Sequence, residues 1–159
     1  MLKFLLSRIP EEPPKPRILL VDDDRDIRTV TGMVLATRGV GTIYEAAGGR
    51  QGLQLARDHQ PDMILLDVKL PDITGETVLQ LLKADPWTQH IPVVFFTASA
   101  DGLSRLRALP VSDVVIKPFD PERLWATLQR AIRNRGYAAP MGVGRAVGAA
   151  VSSAPQAQA

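Results

Sequence analysis

Four short runs of consecutive apolar residues constrain the fold of this chain more than any other feature of its sequence. They occupy residues 18–21, 63–66, 93–96 and 114–116. Strands with one face in water alternate apolar and polar residues, whereas strands covered on both faces in a parallel sheet read as continuous apolar runs. The runs therefore predict buried parallel strands. Residues 41–46 are a weaker strand candidate, which we expect nearer an edge of the sheet.

The segments between these runs have the spacing of amphipathic helices. One apolar stripe consists of Ile27, Val30, Val34 and Leu35, and another of Leu124, Leu128, Ala131 and Ile132 with Trp125 beside it. The last helix is expected to start at Asp120-Pro121-Glu122, an N-cap, a first-turn proline and a first-turn acid. Strands that alternate with helices in this way, five of each, predict an α/β fold with a doubly wound five-stranded parallel sheet.

We interpret residues 17–136 as a single domain between two tails. Residues 1–16 contain four prolines and predict a flexible N-terminal segment. Its apolar residues Leu2, Phe4, Leu5 and Leu6 are expected to dock on a partner or on the domain itself. Residues 137–159 are rich in Ala and Gly with one charge, which predicts a low-complexity tail. Neither tail resembles an output domain, so we expect the output to lie in a separate protein.

The charge and the cysteine count exclude several classes of partner and chemistry. The chain has 19 basic and 17 acidic residues, but residues 17–136 hold 15 of each, so the predicted domain is neutral and nucleic-acid binding is not expected. The absence of cysteine excludes disulfides, thiolate metal sites and cysteine nucleophiles. It also fits a reducing compartment, and we expect a cytoplasmic protein. No apolar run approaches the roughly 18 residues that a membrane span needs, so no membrane insertion is expected.

Polar residues follow the predicted strands where parallel strands place ligand sites. Asp22 and Asp23 follow the first strand, Asp67 the third, Thr97 the fourth and Lys117 the fifth. Neighbouring carboxylates repel by about 1 to 4 kcal/mol per pair, so three of them together predict a bound cation. Hard oxygen ligands without His or Cys favour Mg²⁺ or Mn²⁺. A lysine and a threonine beside the metal would steady an anion.

Each of these residues also has an ordinary structural interpretation. An acid after a strand often caps the next helix, and we expect Asp24 to do so. A lysine that precedes a proline is commonly a loop residue, and so is a threonine that follows a strand. It is the joint arrangement of five residues on one edge that favours a functional site.

In these residues the chain resembles the receiver domains of two-component response regulators, which have the flavodoxin-like receiver fold. The resemblance covers residues 17–135 and rests on five motifs in order. They are residues 18–24, residues 61–67, Pro71 with Gly75 at the family's spacing, residues 93–98 and residues 115–119.

The resemblance implies a role for each site residue. Asp67 is expected to be the phosphoacceptor, with Asp22, Asp23 and the backbone carbonyl of Lys69 completing the protein ligands of Mg²⁺. Thr97 is expected to hydrogen-bond the phosphoryl group and Lys117 to pair with its oxygen. The bond from Lys117 to Pro118 is expected to be cis.

The implied function is a phosphorelay. A sensor histidine kinase or a histidine phosphotransfer protein would donate the phosphoryl group, and a separate effector protein would respond to altered contacts. The protein would phosphorylate and dephosphorylate itself and would not turn over external substrates.

The sequence departs from the family at positions that concern output and lifetime. Val114 stands where the family usually has the Tyr or Phe that moves together with the site threonine. The segment between Thr97 and Lys117 is about two residues short of the family pattern, so the fourth helix is expected to be short or irregular. Ser99 and Lys69 offer no acid or amide to orient an attacking water, which predicts slow dephosphorylation.

Two other functions stay open at this point. The pattern Asp22-x-Asp24 occurs in phosphatases with an aspartate nucleophile, although the turn that follows lacks their glycine. A pseudo-receiver that only binds protein would explain Val114 but not the intact acidic site.

Overall fold

A parallel β-sheet of five strands forms the centre of the molecule in the computed structural model, which describes residues 14–134. The strands are β1 Arg17–Val21, β2 Thr42–Ala46, β3 Met63–Asp67, β4 Val93–Thr97 and β5 Asp113–Ile116. Their order across the sheet is β2-β1-β3-β4-β5, with every pair parallel. The predicted strands are confirmed, and β2 lies at an edge as expected.

One helix follows each strand and covers the sheet from one side or the other. The helices are α1 Arg25–Thr37, α2 Gly49–His59, α3 Gly75–Ala84, α4 Leu103–Arg107 and α5 Pro121–Asn134. Apolar residues of α1 and α5 pack on one face of the sheet, and those of α2, α3 and α4 pack on the other. The predicted doubly wound α/β fold with five helices is confirmed.

Successive residues of the central strands supply the two apolar cores in turn. Leu19 and Ile64 belong to the core under α2, α3 and α4, whereas Leu20 and Leu65 belong to the core under α1 and α5. Every residue of β3 and β4 is buried. Coverage of both faces therefore explains why these strands read as continuous apolar runs.

Two expectations about burial are wrong. Residues 114–116 were expected to be covered on both faces, but β5 is an edge strand and Ile116 is 38% exposed. Val30 was expected in the buried stripe of α1, but its side chain is 52% exposed. The helix is turned so that Thr31, Gly32 and Leu35 face the sheet. The apolar pattern alone does not reveal this rotation, because the buried residues at 31 and 32 are a threonine and a glycine.

The local signals for helix starts are confirmed. The carboxylate of Asp24 accepts hydrogen bonds from the backbone N–H groups of Asp26 and Ile27 at the start of α1. Asp120 accepts one from the N–H of Arg123 at 2.8 Å, at the start of α5. The fourth helix is short, as expected: α4 has five residues and follows Gly102, whose φ is +76°.

The predicted tails fall largely outside the described residues. The docking expectation for Leu2, Phe4, Leu5 and Leu6, and the whole of the 137–159 tail, lie in parts of the chain that the structure does not describe. Between residues 14 and 134, none of the helices has the length and apolar character that crossing a membrane requires.

Candidate functional site

The carboxyl ends of four adjacent strands bring the predicted site residues to one edge of the sheet. Asp22 follows β1, Asp67 ends β3, Thr97 ends β4 and Lys117 follows β5. These strands are neighbours in register, with Val21 beside Leu66, Asp67 beside Phe96, and Thr97 beside Ile116. The topology alone therefore places side chains from distant parts of the sequence next to one another.

Three carboxylates converge at this edge. Asp22, Asp23 and Asp67 each present an oxygen, and these atoms all lie within 4.8 Å of one another. Asp22 is fully buried and Asp67 nearly so, whereas Asp23 is exposed, so the group opens to solvent on the Asp23 side. Two like charges at this separation repel by about 3 kcal/mol or more at an effective dielectric constant of about 20.

Lys117 partly compensates this charge. Its ammonium group donates hydrogen bonds to Oδ2 of Asp22 and, at 3.0 Å, to Oδ2 of Asp67. It also lies 4.8 Å from the centre of the Phe96 ring. Burial by itself lowers the pKa of Lys117, but the hydrogen bonds to Asp22 and Asp67 raise that pKa above its usual value. Lys117 is therefore a fixed positive charge at neutral pH.

Burial raises the pKa of Asp67, and the hydrogen bond from Lys117 works against that rise. With the three carboxylates and the ammonium group all ionised, the site carries a net charge of −2. Hard oxygen donors with this excess charge suit a divalent cation such as Mg²⁺.

The backbone around Asp67 is packed tightly. The N–H of Lys69 donates to Oδ1 of Asp67 at 3.1 Å, and the N–H of Gly75 donates to the carbonyl of Val68 at 2.9 Å. A Cβ atom at Gly75 would clash with the Asp67 carbonyl and would lie 2.8 Å from the Cα of Val68. Only glycine allows the start of α3 to lie this close to the end of β3, which gives a physical reason for the Gly75 of the motif.

The first strand end is fixed by backbone contacts that the sequence did not reveal. Oδ1 of Asp22 accepts a hydrogen bond from the N–H of Asp24 at 2.9 Å. The guanidinium of Arg28 donates to the Asp22 carbonyl at 2.7 Å and pairs with Glu45. The position of Arg28 one turn into α1 is a signal that could have identified it as a support of this strand end.

The remaining predicted residues lie at the same edge but are not all part of the acidic group. Asp24 faces the start of α1, where its carboxylate is used as a cap. Thr97 is buried, and its hydroxyl accepts a hydrogen bond from the Ser99 N–H at 3.2 Å. Lys117-Pro118 is cis, as expected. Val114 is buried in the core under α2, α3 and α4.

The pattern-based interpretation also missed Asp72, which follows β3 in the loop of residues 68–74. Its carboxylate accepts hydrogen bonds from the N–H groups of Gly49 and Arg50 at the start of α2. The signal was present in the sequence, because Gly48 precedes α2 where a capping side chain is usual.

Comparison with known proteins assigns this chain and its fold to a family. The model of the response regulator receiver domain matches residues 18–129. The chain is 36% identical over 121 residues to the DNA-binding dual master transcriptional regulator RpaA of Synechocystis sp., covering 75% of this chain and 50% of the relative. It is 35% identical over 121 residues to the phosphate regulon transcriptional regulatory protein PhoB of Pseudomonas aeruginosa, covering 75% and 52%. The chain thus spans about half the length of the curated relatives it matches.

Solved structures show the same similarity. A sensor protein from Polaromonas sp. JS666 matches with a TM-score of 0.72 and 30% identity, covering 77% of this chain and 99% of that one. The receiver domain of the sensor histidine kinase PA1611 from Pseudomonas aeruginosa PAO1 matches with a TM-score of 0.69 and 30% identity, covering 76% and 99%. That structure has a magnesium ion coordinated in its active site cleft. The family model, the curated relatives and the solved structures agree, and the chain belongs to the receiver domains of two-component response regulators.

Proposed function

We propose that Asp67 of this receiver accepts a phosphoryl group in a Mg²⁺-dependent reaction. The observation that carries the proposal is the convergence of Asp22, Asp23 and Asp67 within 4.8 Å, with Lys117 hydrogen-bonded to two of them. Among the three carboxylates, Asp67 ends the central strand β3 and is the one that the motif match assigns as acceptor.

The donor set fits a divalent metal. Asp22, Asp23 and Asp67 would hold Mg²⁺ or Mn²⁺ through carboxylate oxygens, together with the backbone carbonyl of Lys69. The Lys69 peptide already lies beside Asp67, because its N–H donates to that carboxylate. When bound, the cation neutralises charge on the phosphoryl oxygens and reduces their repulsion from the carboxylates.

The chain's own residues position and stabilise the transferred group. A carboxylate oxygen of Asp67 attacks phosphorus, and the bond from phosphorus to the donor atom breaks. That donor atom is the imidazole nitrogen of a phosphohistidine or the carboxylate oxygen of an acyl phosphate. Lys117 offers its ammonium group to a phosphoryl oxygen, and Thr97 offers its hydroxyl from the neighbouring strand end. Catalysis of this kind rests on positioning and charge rather than on proton transfer.

The proposal extends to partners, boundaries and location. The donor would be a sensor histidine kinase or a histidine phosphotransfer protein, and a separate effector would respond to the phosphorylated surface. Arg105 and Arg130 are ion-paired with Glu76 and Asp113, which supports a receiver surface that does not bind nucleic acid. We place the domain at residues 17–136, its reaction in the cytoplasm, and its chemistry on itself rather than on external substrates.

Incubation with acetyl phosphate and Mg²⁺ tests the proposal. Intact-protein mass measurement should show one added phosphoryl group, which Asp67→Asn abolishes. Asp24→Asn is the matched control and should keep the modification, because Asp24 only caps α1. Loss of modification in Asp24→Asn, or its retention in Asp67→Asn, would contradict the assignment.

The same experiment separates the alternatives. An unmodified protein that still binds its partner would favour the pseudo-receiver. Steady release of phosphate from phosphate esters would favour the phosphatase, although the carboxylate of Asp24, which it requires, is hydrogen-bonded to the first turn of α1.

A further inference from the structure

Helix α2 lacks a capping side chain of its own and takes one from another part of the chain. The residue before the helix is Gly48, which offers no side-chain acceptor. Asp72, in the β3–α3 loop of residues 68–74, supplies it instead. Its Oδ1 accepts from the Gly49 N–H at 2.8 Å, and its Oδ2 accepts from the Arg50 N–H at 2.9 Å. Both carboxylate oxygens of Asp72 are thus bound to the first turn of α2.

The electrostatics favour this contact. The first turn of a helix presents unpaired N–H groups and a partial positive charge, which stabilise a carboxylate. The hydrogen bonds from Arg50 and Gly49 lower the pKa of Asp72 to about 2. Asp72 is therefore ionised throughout the physiological pH range, so it meets the first turn of α2 as a negative charge.

The start of α2 and the β3–α3 loop are in close contact. A Cβ atom at Gly48 would lie 3.2 Å from Oδ1 of Asp72. A Cβ atom at Gly49 would lie 2.6 Å from side-chain atoms of both Ile73 and Val78. Glycine at both positions lets the start of α2 lie directly against the β3–α3 loop.

The loop that Asp72 holds is also the loop that carries a proposed metal ligand. At one end the Lys69 N–H donates to Asp67, and at the other the Gly75 N–H donates to Val68. Asp72 lies between these two points and ties the middle of the loop to a different helix. Leu70 and Ile73 of the loop also pack against the apolar core, and Asp72 adds hydrogen bonds that tie the loop to the backbone of α2.

We propose that Asp72 is a positioning residue for the metal site: by tying the β3–α3 loop to the start of α2, it holds the Lys69 carbonyl at the position from which it can bind Mg²⁺. This inference rests on the proposed function, because it takes Lys69 as a metal ligand. It gives residue 72 a role in metal affinity that neither its exposed position nor its separation from the acidic group suggests.

Calorimetric titration of the unphosphorylated protein with MgCl₂ tests the inference. Residues that orient metal ligands typically change metal affinity by 10–100-fold when replaced, so Asp72→Ala should weaken Mg²⁺ binding by about tenfold. Asp72→Asn should weaken it less, because its amide oxygen can still accept one hydrogen bond. Asp85→Ala is the matched control, since Asp85 also accepts a backbone hydrogen bond, from the Trp87 N–H at 2.9 Å, but after the far end of α3. It should leave the affinity unchanged.

Amide hydrogen exchange without metal provides an independent measurement. Asp72→Ala should speed exchange at Gly49 and Arg50, which lose their acceptor, and also at Lys69, whose N–H is protected by Asp67 in the tied loop. If Asp72 only caps α2, the substitution should speed amide exchange at Gly49 and Arg50 but leave the exchange rate of Lys69 and the Mg²⁺ affinity unchanged. If Asp72→Ala does not fold, Asp72→Asn decides by the same two measurements.

The outcomes distinguish this inference from the proposed function. If the wild-type protein binds Mg²⁺ and the Asp72→Ala and Asp85→Ala variants bind it with equal affinity, Asp72 does not position the metal site. The proposed metal site itself is then unaffected. Wild-type protein that binds no Mg²⁺ overturns both.

Discussion

Lys117 shows how much of the site depends on single contacts between residues far apart in sequence. It bridges Asp22 and Asp67, which are 95 and 50 residues away along the chain. Asp22 is fully buried, so removing the ammonium group would leave a buried carboxylate with one partner fewer. Charged hydrogen bonds of this type contribute about 1.5 to 3 kcal/mol each. Lys117 is therefore a structural member of the site as well as the proposed partner of the phosphoryl group.

Asp23 is the carboxylate whose removal should affect metal binding most selectively, because it is exposed whereas Asp22 and Asp67 are buried. We expect Asp23→Ala to weaken Mg²⁺ binding by more than about tenfold, which corresponds to about 1.4 kcal/mol. Calorimetric titration measures this directly. Asp26→Ala removes a nearby exposed charge and serves as the control. Equal affinities in the two variants would remove Asp23 from the site.

Ser99 governs the predicted lifetime of the phosphorylated state. Its hydroxyl exchanges hydrogen bonds with Asp101, donating to the carboxylate at 3.2 Å and accepting from the N–H at 3.1 Å. It offers no acid or amide to orient an attacking water, and neither does Lys69. We expect slow loss of the phosphoryl group, and a several-fold faster loss in Ser99→Asn. Decay followed by intact mass should take much longer than seconds; loss of the wild-type modification within seconds would refute the prediction.

At the scale of helices and strands, the apolar pattern predicted which elements exist, because β3 and β4 are covered on both faces and are apolar up to the site residues Asp67 and Thr97 at their ends. It could not predict how a helix is rotated when small residues face the sheet. Val30 in α1 is therefore exposed although it was expected in the buried stripe, and Thr31 beside it is buried. Nor could the pattern distinguish an edge strand such as β5 from a central one, because its residues are equally apolar.

Thr31 gives a test at this scale. Its hydroxyl is buried and has no hydrogen-bond partner within residues 14–134. An unsatisfied buried polar group costs about 1 to 3 kcal/mol, and valine has nearly the same shape. We expect Thr31→Val to raise the free energy of unfolding by about 1 kcal/mol in urea denaturation.

Thr88 provides the control for this substitution. It is equally buried, but its hydroxyl donates to the Leu82 carbonyl at 2.8 Å. Thr88→Val should therefore lower the free energy of unfolding. A Thr31→Val protein no more stable than wild type would show that the hydroxyl has a partner in solution.

The contact between Asp72 and α2 predicts a pH dependence of stability. The folded protein lowers the pKa of Asp72 from 3.8 to about 2, so its contribution is complete above 3.8 and is lost as the pH falls toward 2. The difference in unfolding free energy between wild type and Asp72→Asn should therefore be largest near neutral pH and shrink below pH 3.8. Urea denaturation at a series of pH values measures it. A difference that is constant with pH would mean that the carboxylate charge does not stabilise α2.

At the scale of the whole molecule, the residues of the acidic site were more predictable from the sequence than the residues that hold the backbone around it. Parallel strands in the observed order necessarily bring Asp22, Asp67, Thr97 and Lys117 to one edge. A strand pattern and a topology rule are enough to place them. Asp72 and Arg28 act through backbone groups of other elements. The sequence offers only indirect signals for these contacts, namely the absent cap at Gly48 and the place of Arg28 one turn into α1, because their geometry depends on how loops and helices pack. The net charge of +2 has no part in the site, because residues 17–136 are neutral.

The location of the phosphoryl group on the chain tests most directly whether Asp67 is the phosphoacceptor. After phosphorylation with acetyl phosphate and Mg²⁺, reduction with borohydride converts an aspartyl phosphate to homoserine, which peptide mass spectrometry can place in the sequence. We expect homoserine at position 67 alone. Conversion at position 22, 23 or 24, or no conversion in a protein that has gained the mass of a phosphoryl group, would contradict this assignment.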